Sequence, residues 1–145
     1  MEFYALKVKQ VTPETPDTVT LEFDIPDNLK ETFTYKEGQH ITLRVQIGGH
    51  EIRRSYSMSS SPLENRLAVT VKKVKGGQVS TFLHDSVKAG DTLEIAAPDG
   101  RFHGTPNPDK RRTYYLFGAG SGITPLMSII KTTLESEPMS AIFLL

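Results

Sequence analysis

The sequence predicts a mainly β fold: about six short antiparallel strands that form a closed barrel or a sandwich, followed by the start of an α/β unit. Two observations support this prediction. Up to about residue 103, apolar residues recur at every second position in short segments separated by turn signals. From residue 111 onward, an apolar run leads into a glycine-rich segment and then into apolar residues at helical spacing. We therefore expect two units, at 1–105 and 106–145.

The first unit is divided into strands by its alternation of apolar and polar residues. Alternation predicts strands at 4–8 and 19–23, and the prolines within 12–17 predict a turn between them because proline cannot donate to a ladder. A strand at 41–47 follows Gly38-Gln39, and Gly48-Gly49 suits a tight hairpin. The other predicted elements are strands at 52–58, 67–71 and 92–97 and a short helix near 79–83.

The second unit has the pattern of a βαβ element. Residues 113–117 form a nearly continuous apolar strand, as expected when both faces of a parallel sheet are covered. Thr124 is the expected N-cap and Pro125 the first residue of the following helix. A second strand is predicted at 141–145. One βαβ element leaves its sheet open, so we expect a fragment that self-associates or has a mobile C-terminal part.

Composition excludes several classes of function. Seventeen basic residues balance seventeen acidic ones, which gives no electrostatic case for a nucleic acid or an anionic membrane as partner. The absence of cysteine excludes disulfides and thiolate-ligated zinc or iron–sulfur sites within these 145 residues. The four histidines lack metal-ligand spacing, and no apolar run suits a signal peptide or a membrane span. We expect a soluble cytoplasmic protein without a metal site.

The most informative motif is Arg54-x-Tyr56-Ser57 at the end of a predicted strand. A guanidinium matches two phosphate oxygens, and a tyrosine two residues later lies on the same strand face, where its ring can stack on a flat heterocycle. Taken singly, Arg54 is more often a solvated arginine and Tyr56 a core tyrosine. Ser57 points to the opposite face unless the strand bends or ends there.

Two glycine-rich segments precede predicted helices. Gly76-Gly77 comes before Val79 and Ser80, and such a junction forms either an anion site at a helix N-terminus or a simple turn. Gly118-Ala119-Gly120-Ser121-Gly122 lacks the spacing of the dinucleotide-binding fingerprint. Its position between a strand and a helix nevertheless suits the approach of a pyrophosphate.

Together these motifs resemble the ferredoxin–NADP reductase superfamily, and in particular the reductases of phenylacetate degradation and ring oxygenation. The resemblance implies a six-stranded Greek-key FAD-binding barrel. It assigns Arg54 to the FAD pyrophosphate, Tyr56 to the isoalloxazine or ribityl chain, and Ser57 to the region of flavin N5, which makes Tyr56 and Ser57 the candidate catalytic residues. The remaining candidate cofactor-binding residues are Val71, Lys73, Gly77, Val79 and Ser80 for FAD, and Gly118, Gly120, Gly122, Thr124 and Pro125 for NAD(P)H.

The activity that the resemblance implies is electron transfer from NAD(P)H through FAD to an iron–sulfur domain or a ferredoxin-like acceptor. Because the nicotinamide site is incomplete, we expect little or no activity from the 145 residues alone. The residues that select NAD or NADP would lie beyond Leu145. The alternative is a non-catalytic barrel module that binds a flavin or a protein.

Overall fold

The computed structural model describes residues 1–145 and contains eight strands and two α-helices. The first unit consists of β1 (Phe3–Thr15), β2 (Thr18–Asp24), β3 (His40–Ile47), β4 (His50–Ser57), β5 (Leu67–Lys72), α1 (Gln78–Asp85) and β6 (Thr92–Asp99). The second unit consists of β7 (Thr113–Leu116), α2 (Ile123–Ser136) and β8 (Ala141–Leu144). The mainly β first unit and the βαβ second unit are therefore confirmed. Neither helix combines the length and apolar character that crossing a membrane requires.

The first six strands form one antiparallel sheet in the order β4-β3-β6-β1-β2-β5. The closed barrel of the prediction is wrong in one respect, because β4 and β5 are the two edges of this sheet. They are joined just beyond the end of β4, through a bridge between Met58 and Val69 and hydrogen bonds from Ser59 N–H to the Ala68 carbonyl and from the Thr70 hydroxyl to Ser59 Oγ. The sheet thus curls toward closure at one end of these strands and stays open along the rest.

Alternation in the sequence corresponds to burial in the sheet. Leu6 and Val8 of β1 are buried, whereas Lys7 and Lys9 are exposed. The inward side chains of all six strands form one apolar core, to which α1 contributes Val79 and Leu83. Burial of each such aliphatic side chain contributes about 1.5–3 kcal/mol to the stability of the fold.

The turn predicted at 12–17 is shorter than expected. β1 continues to Thr15, and Pro13 pairs with Val19 within the ladder to β2. Pairing between β1 and β6 ends at Lys7, so Pro13 lies where β1 has only one neighbouring strand. A proline is tolerated there because no second strand needs its missing N–H. The tight hairpin at Gly48-Gly49 is confirmed, with φ values of 59° and 79°.

In the second unit, β7 and β8 pair in parallel. The prediction that both faces of β7 are covered is wrong. Tyr115 and Phe143 are 61% and 52% exposed, and their rings stack with centroids 5.3 Å apart. The cause is the single helix of the unit, which can cover one face of the two-stranded sheet only.

The two units contact each other closely at Gly38. This residue has φ of +89°, and a Cβ atom there would lie 2.0 Å from the Phe102 carbonyl oxygen and 3.2 Å from Ile129 Cδ1 of α2. Only glycine lets the loop before β3 pass between the connecting segment and α2. The position of Gly38 in the sequence therefore reflects packing between the units.

A buried carboxylate fixes the connection into the second unit. Glu137 follows α2, is fully buried, and accepts hydrogen bonds from Arg112, Tyr114, Ser140 and the Asn107 N–H. The Arg112 guanidinium holds the pKa of Glu137 well below its ordinary value of 4.5, although burial acts in the opposite direction. Glu137 thereby joins the segment before β7 to the end of α2.

We predict that this carboxylate makes the stability of the protein fall in acid. Because the folded-state pKa is lowered, the stabilisation is present above about pH 4.5 and declines as the pH falls below that value. Glu137→Gln should lower the urea midpoint at neutral pH, and its difference from the wild type should shrink in acid. Glu135→Gln, at an exposed site on α2, is the control. A difference that is the same at both pH values would contradict this role.

Candidate functional site

A cleft of about 430 Å³ opens between the end of β4 and the start of α1. Arg54 and Tyr56 line one side, and the segment 74–80 lines the other, with Gly77, Val79 and Ser80 among its residues. The cleft lies where β4 and β5, the edges of the sheet, are not paired. The structure thus brings together two motifs that are about twenty residues apart in the sequence.

Arg54 presents an unpaired positive charge to this cleft. Its side chain is exposed, and its Nη1 donates to the Arg53 carbonyl at 2.8 Å. No carboxylate pairs with Arg54, whereas the adjacent Arg53 forms an ion pair with Glu51 at 2.7 Å on the other face of the strand. The free guanidinium donors of Arg54 are therefore available to an anion.

Tyr56 and Ser57 occupy the last two positions of β4. Tyr56 is half-buried and packs against the core; this burial raises the pKa of its hydroxyl, and the nearby Arg54 opposes the shift. Ser57 pairs across the ladder with His40 and lies beside the cleft, not among the residues that line it. Ser57 can join Arg54 and Tyr56 in one site only if the strand bends or ends at this residue. β4 does end at Ser57.

The opposite wall is the N-terminus of α1. Gly77 precedes the helix and supplies no side-chain cap, so the N–H groups of the first turn remain open to a ligand. Ser80 Oγ accepts a hydrogen bond from the Val74 N–H at 3.1 Å, which leaves the hydroxyl proton of Ser80 free to donate. A Cβ atom on Gly77 would lie 2.5 Å from this Oγ. Glycine at this position therefore lets the Ser80 hydroxyl reach the Val74 N–H.

Two candidate residues do not face the cleft. The Val71 side chain is buried in the core. Lys73 donates from Nζ to Asp85 at 2.6 Å and from its backbone N–H to the Asp17 carbonyl. Conversely, Val74, Gly76 and Gln78 line the cleft although the sequence motifs did not select them as site residues. The signal in the sequence that could have identified them is their position next to Gly77.

The second glycine-rich segment lies apart from this cleft, at the carboxyl end of β7. A Cβ atom on Gly118 would lie 2.6 Å from Leu126 Cδ1, so this glycine permits close packing of α2. Gly120, with φ of +56°, begins a short turn of 3-10 helix that ends at Gly122. Gly122, Thr124 and Pro125 surround the start of α2.

The predicted N-cap role of Thr124 is wrong. The helix begins at Ile123 after Gly122, and the Thr124 hydroxyl donates to the Ser121 carbonyl at 2.9 Å. The helix follows the 3-10 turn directly and starts two residues earlier than predicted, which places Thr124 and Pro125 within its first turn. Pro125 is tolerated there because the first N–H groups of a helix have no partner within it.

No group of three or more histidine, cysteine or acidic side chains is placed to hold a metal ion. The charged and polar groups of the cleft include an arginine, backbone N–H donors and the hydroxyls of Tyr56 and Ser80. This donor set suits an anionic ligand.

Comparisons with known proteins identify relatives of this chain. A component of the 1,2-phenylacetyl-CoA epoxidase of Escherichia coli (strain K12) is 41% identical over 138 residues, which are 95% of this chain and 39% of that protein. The ferredoxin reductase component of the 3-ketosteroid-9-alpha-monooxygenase of Rhodococcus rhodochrous is 42% identical over 131 residues, 89% of this chain and 36% of that protein. The chain thus spans well under half the length of these relatives.

Similar folds occur among solved structures. A ferredoxin NADP+ reductase from Neisseria gonorrhoeae, with bound FAD and NADP, superposes with a TM-score of 0.78 at 23% identity, covering 99% of this chain and 57% of that one. At this identity the likeness concerns the fold. Residues 5–103, which include the whole cleft, match the family described as the oxidoreductase FAD-binding domain. The resemblance found in the sequence is therefore confirmed, and the chain belongs to the oxidoreductase FAD-binding domain family.

Proposed function

We propose that this chain is the flavin-binding part of an NAD(P)H-dependent reductase and that it binds FAD in the cleft between β4 and α1. The observation that carries the proposal is the position of an unpaired arginine opposite an uncapped helix N-terminus. A pyrophosphate placed between them would meet positive charge and N–H donors from both sides.

The two sides of the cleft are both needed for useful affinity. A charge-assisted hydrogen bond contributes about 1.5–3 kcal/mol, whereas micromolar binding requires about 8 kcal/mol. Arg54 alone is therefore insufficient. The first-turn N–H groups of α1, the free hydroxyl proton of Ser80 and the ring of Tyr56 supply the further contacts. Gly77 and Val79 act through their backbone groups, since the Val79 side chain is buried in the core.

The end of β4 would hold the flavin ring. The half-buried Tyr56 offers a ring face to the isoalloxazine, and Ser57, at the end of the strand, offers a hydroxyl near N5. When bound, FAD would accept a hydride from the nicotinamide and pass electrons on singly. The contribution of the protein is to hold the two phosphates, orient the ring and place the Ser57 hydroxyl. Val71 and Lys73 would support this site only through the strand that leads into it.

The nicotinamide nucleotide would bind at the second unit. Gly118, Gly120, Gly122, Thr124 and Pro125 surround the start of α2, where a helix N-terminus follows a parallel strand. We place the boundary between the FAD-binding unit, 1–105, and the nucleotide unit, 106–145, in the connection between β6 and β7. Because the chain spans 39% of the E. coli relative, we expect weak or no NAD(P)H oxidation by the 145 residues alone.

We further propose that the electron acceptor is an iron–sulfur domain or a ferredoxin-like protein. The name of one relative supports this, since it is the ferredoxin reductase component of a monooxygenase. The 145 residues contain no cysteine, so a cysteine-ligated cluster would lie outside them.

Replacing Arg54 tests the proposed phosphate site. We predict that Arg54→Ala weakens FAD binding about 10- to 100-fold, because it removes a charge-assisted contact of about 1.5–3 kcal/mol. Titration of the apoprotein, followed by the absorbance and fluorescence of the flavin, measures the affinity.

Arg53→Ala is the matched control for this titration. It removes the same charge from the neighbouring residue, which is paired with Glu51 and lies outside the cleft. We expect its FAD affinity to stay within about threefold of the wild type. Equal losses in the two variants would reject the phosphate site, and failure of the wild type to bind FAD would favour a non-catalytic protein-binding module.

We also propose that the uncovered face of the second unit promotes self-association. Phe117 and Leu145 extend the exposed apolar surface around the Tyr115–Phe143 stack, being 72% and 66% exposed. Light scattering of the chain should detect concentration-dependent dimers, and Phe143→Lys should reduce them by placing a charge in the stack. A monomer at all concentrations would contradict the proposal.

A further inference from the structure

The residues that follow the proposed flavin strand are built into the packing of α2. Ser60 and Ser61 come three and four residues after Ser57 and are each only 1% exposed. Their partners are the buried hydroxyls of Ser128 and Thr132 on α2. Four small hydroxyl residues thus meet in a buried contact between the two units.

The contact begins at the backbone of Ser60. Its carbonyl accepts a hydrogen bond from the Ser128 hydroxyl at 2.6 Å. On the barrel side, the Ser60 hydroxyl lies 2.7 Å from the Tyr35 hydroxyl and accepts from the Ala68 N–H at 3.0 Å. Ser60 is therefore held by the core of the first unit and in turn holds α2.

One helical turn further along α2, Thr132 repeats the contact. Its hydroxyl donates to the Ser128 carbonyl at 2.7 Å, so the proton in its 2.8 Å hydrogen bond to Ser61 comes from the Ser61 hydroxyl. The two bonds lie on the same face of the helix, four residues apart. They fix both the rotation of α2 about its axis and its position along that axis, relative to the segment that follows β4.

We infer that Ser128 and Thr132 are positioning residues that couple occupancy of the flavin cleft to the placement of α2 and of the glycine-rich segment at its start. The inference rests on the proposed FAD site. FAD contacts at Tyr56 and Ser57 would order the end of β4, and Ser60 and Ser61 follow three and four residues after Ser57. Because Gly122 is the residue before α2, any stabilisation of the helix reaches the segment 118–122.

The coupling has a defined physical basis. A buried polar group that loses its hydrogen-bond partner costs about 1–3 kcal/mol. The hydrogen bond from the Ser128 hydroxyl to the Ser60 carbonyl therefore favours the position of α2 in which it is formed. A ligand that orders one side of such a contact reduces local opening on the other side. The coupling is reciprocal: a nucleotide that binds at the start of α2 strengthens FAD binding by the same factor by which FAD strengthens the binding of that nucleotide.

Hydrogen exchange followed by mass spectrometry tests the inference on the intact 145-residue chain. With saturating FAD, exchange in peptides from 123–136 should slow about fivefold, which corresponds to a contact of about 1 kcal/mol. In Ser128→Ala, FAD should still bind within about threefold of the wild-type affinity, while the slowing in α2 is largely lost. Thr132→Val, which keeps the side-chain shape and removes the hydroxyl, should show the same loss.

Glu135→Gln is the control, because this residue lies on the exposed face of the same helix and should keep the full response to FAD. If FAD binds but α2 exchange does not change, or changes equally in the wild type and both hydroxyl variants, the coupling is wrong. If FAD does not bind to the wild-type chain, the proposed function itself fails and the coupling with it.

Discussion

The incomplete closure of the sheet is the constraint on which the rest of this structure depends. β4 and β5 are joined just beyond the end of β4, where Met58 and Ser59 pair with Val69 and Ala68, and before that point the two strands leave a gap. Arg54 and Tyr56 face the gap from β4, and the segment after β5 turns back over it through Gly76-Gly77 into α1. A fully paired barrel would hydrogen-bond these edges to each other and leave no space between them. The candidate site is therefore the unpaired part of the sheet.

The point of closure also connects the cleft to the second unit. Immediately after Met58, the chain enters the buried serines that bond to α2, and Gly38 allows the loop before β3 to approach the same helix. The flavin strand and the nucleotide helix thus share a short, tightly packed segment. Just after the C-terminal end of α2, Glu137 joins the connecting segment to the helix. These contacts hold α2 of the second unit in a fixed position against the first unit.

The sequence predicted the elements well and their boundaries less well. Alternation indicated all six strands, and the Arg54 and Gly77 motifs lie on opposite walls of one cleft, as the family resemblance implied. Local patterns could not show that Lys73 is bonded to Asp85 or that Val71 points into the core, because both depend on how β5 meets α1. Pro13 and Thr124 were misplaced because tertiary pairing and a 3-10 turn altered the local preference. Nothing in the run of serines after β4 showed that Ser60 and Ser61 bond to α2.

The central claim is that the pyrophosphate of FAD lies between Arg54 and the N-terminus of α1. A crystal structure of the chain with bound FAD measures this directly. The account predicts phosphate oxygens within about 3.2 Å of the Arg54 guanidinium and of N–H groups in the first turn of α1, with the flavin ring against Tyr56. A pyrophosphate bound elsewhere, for example at Gly118–Gly122, or one that leaves Arg54 without a contact, would contradict it.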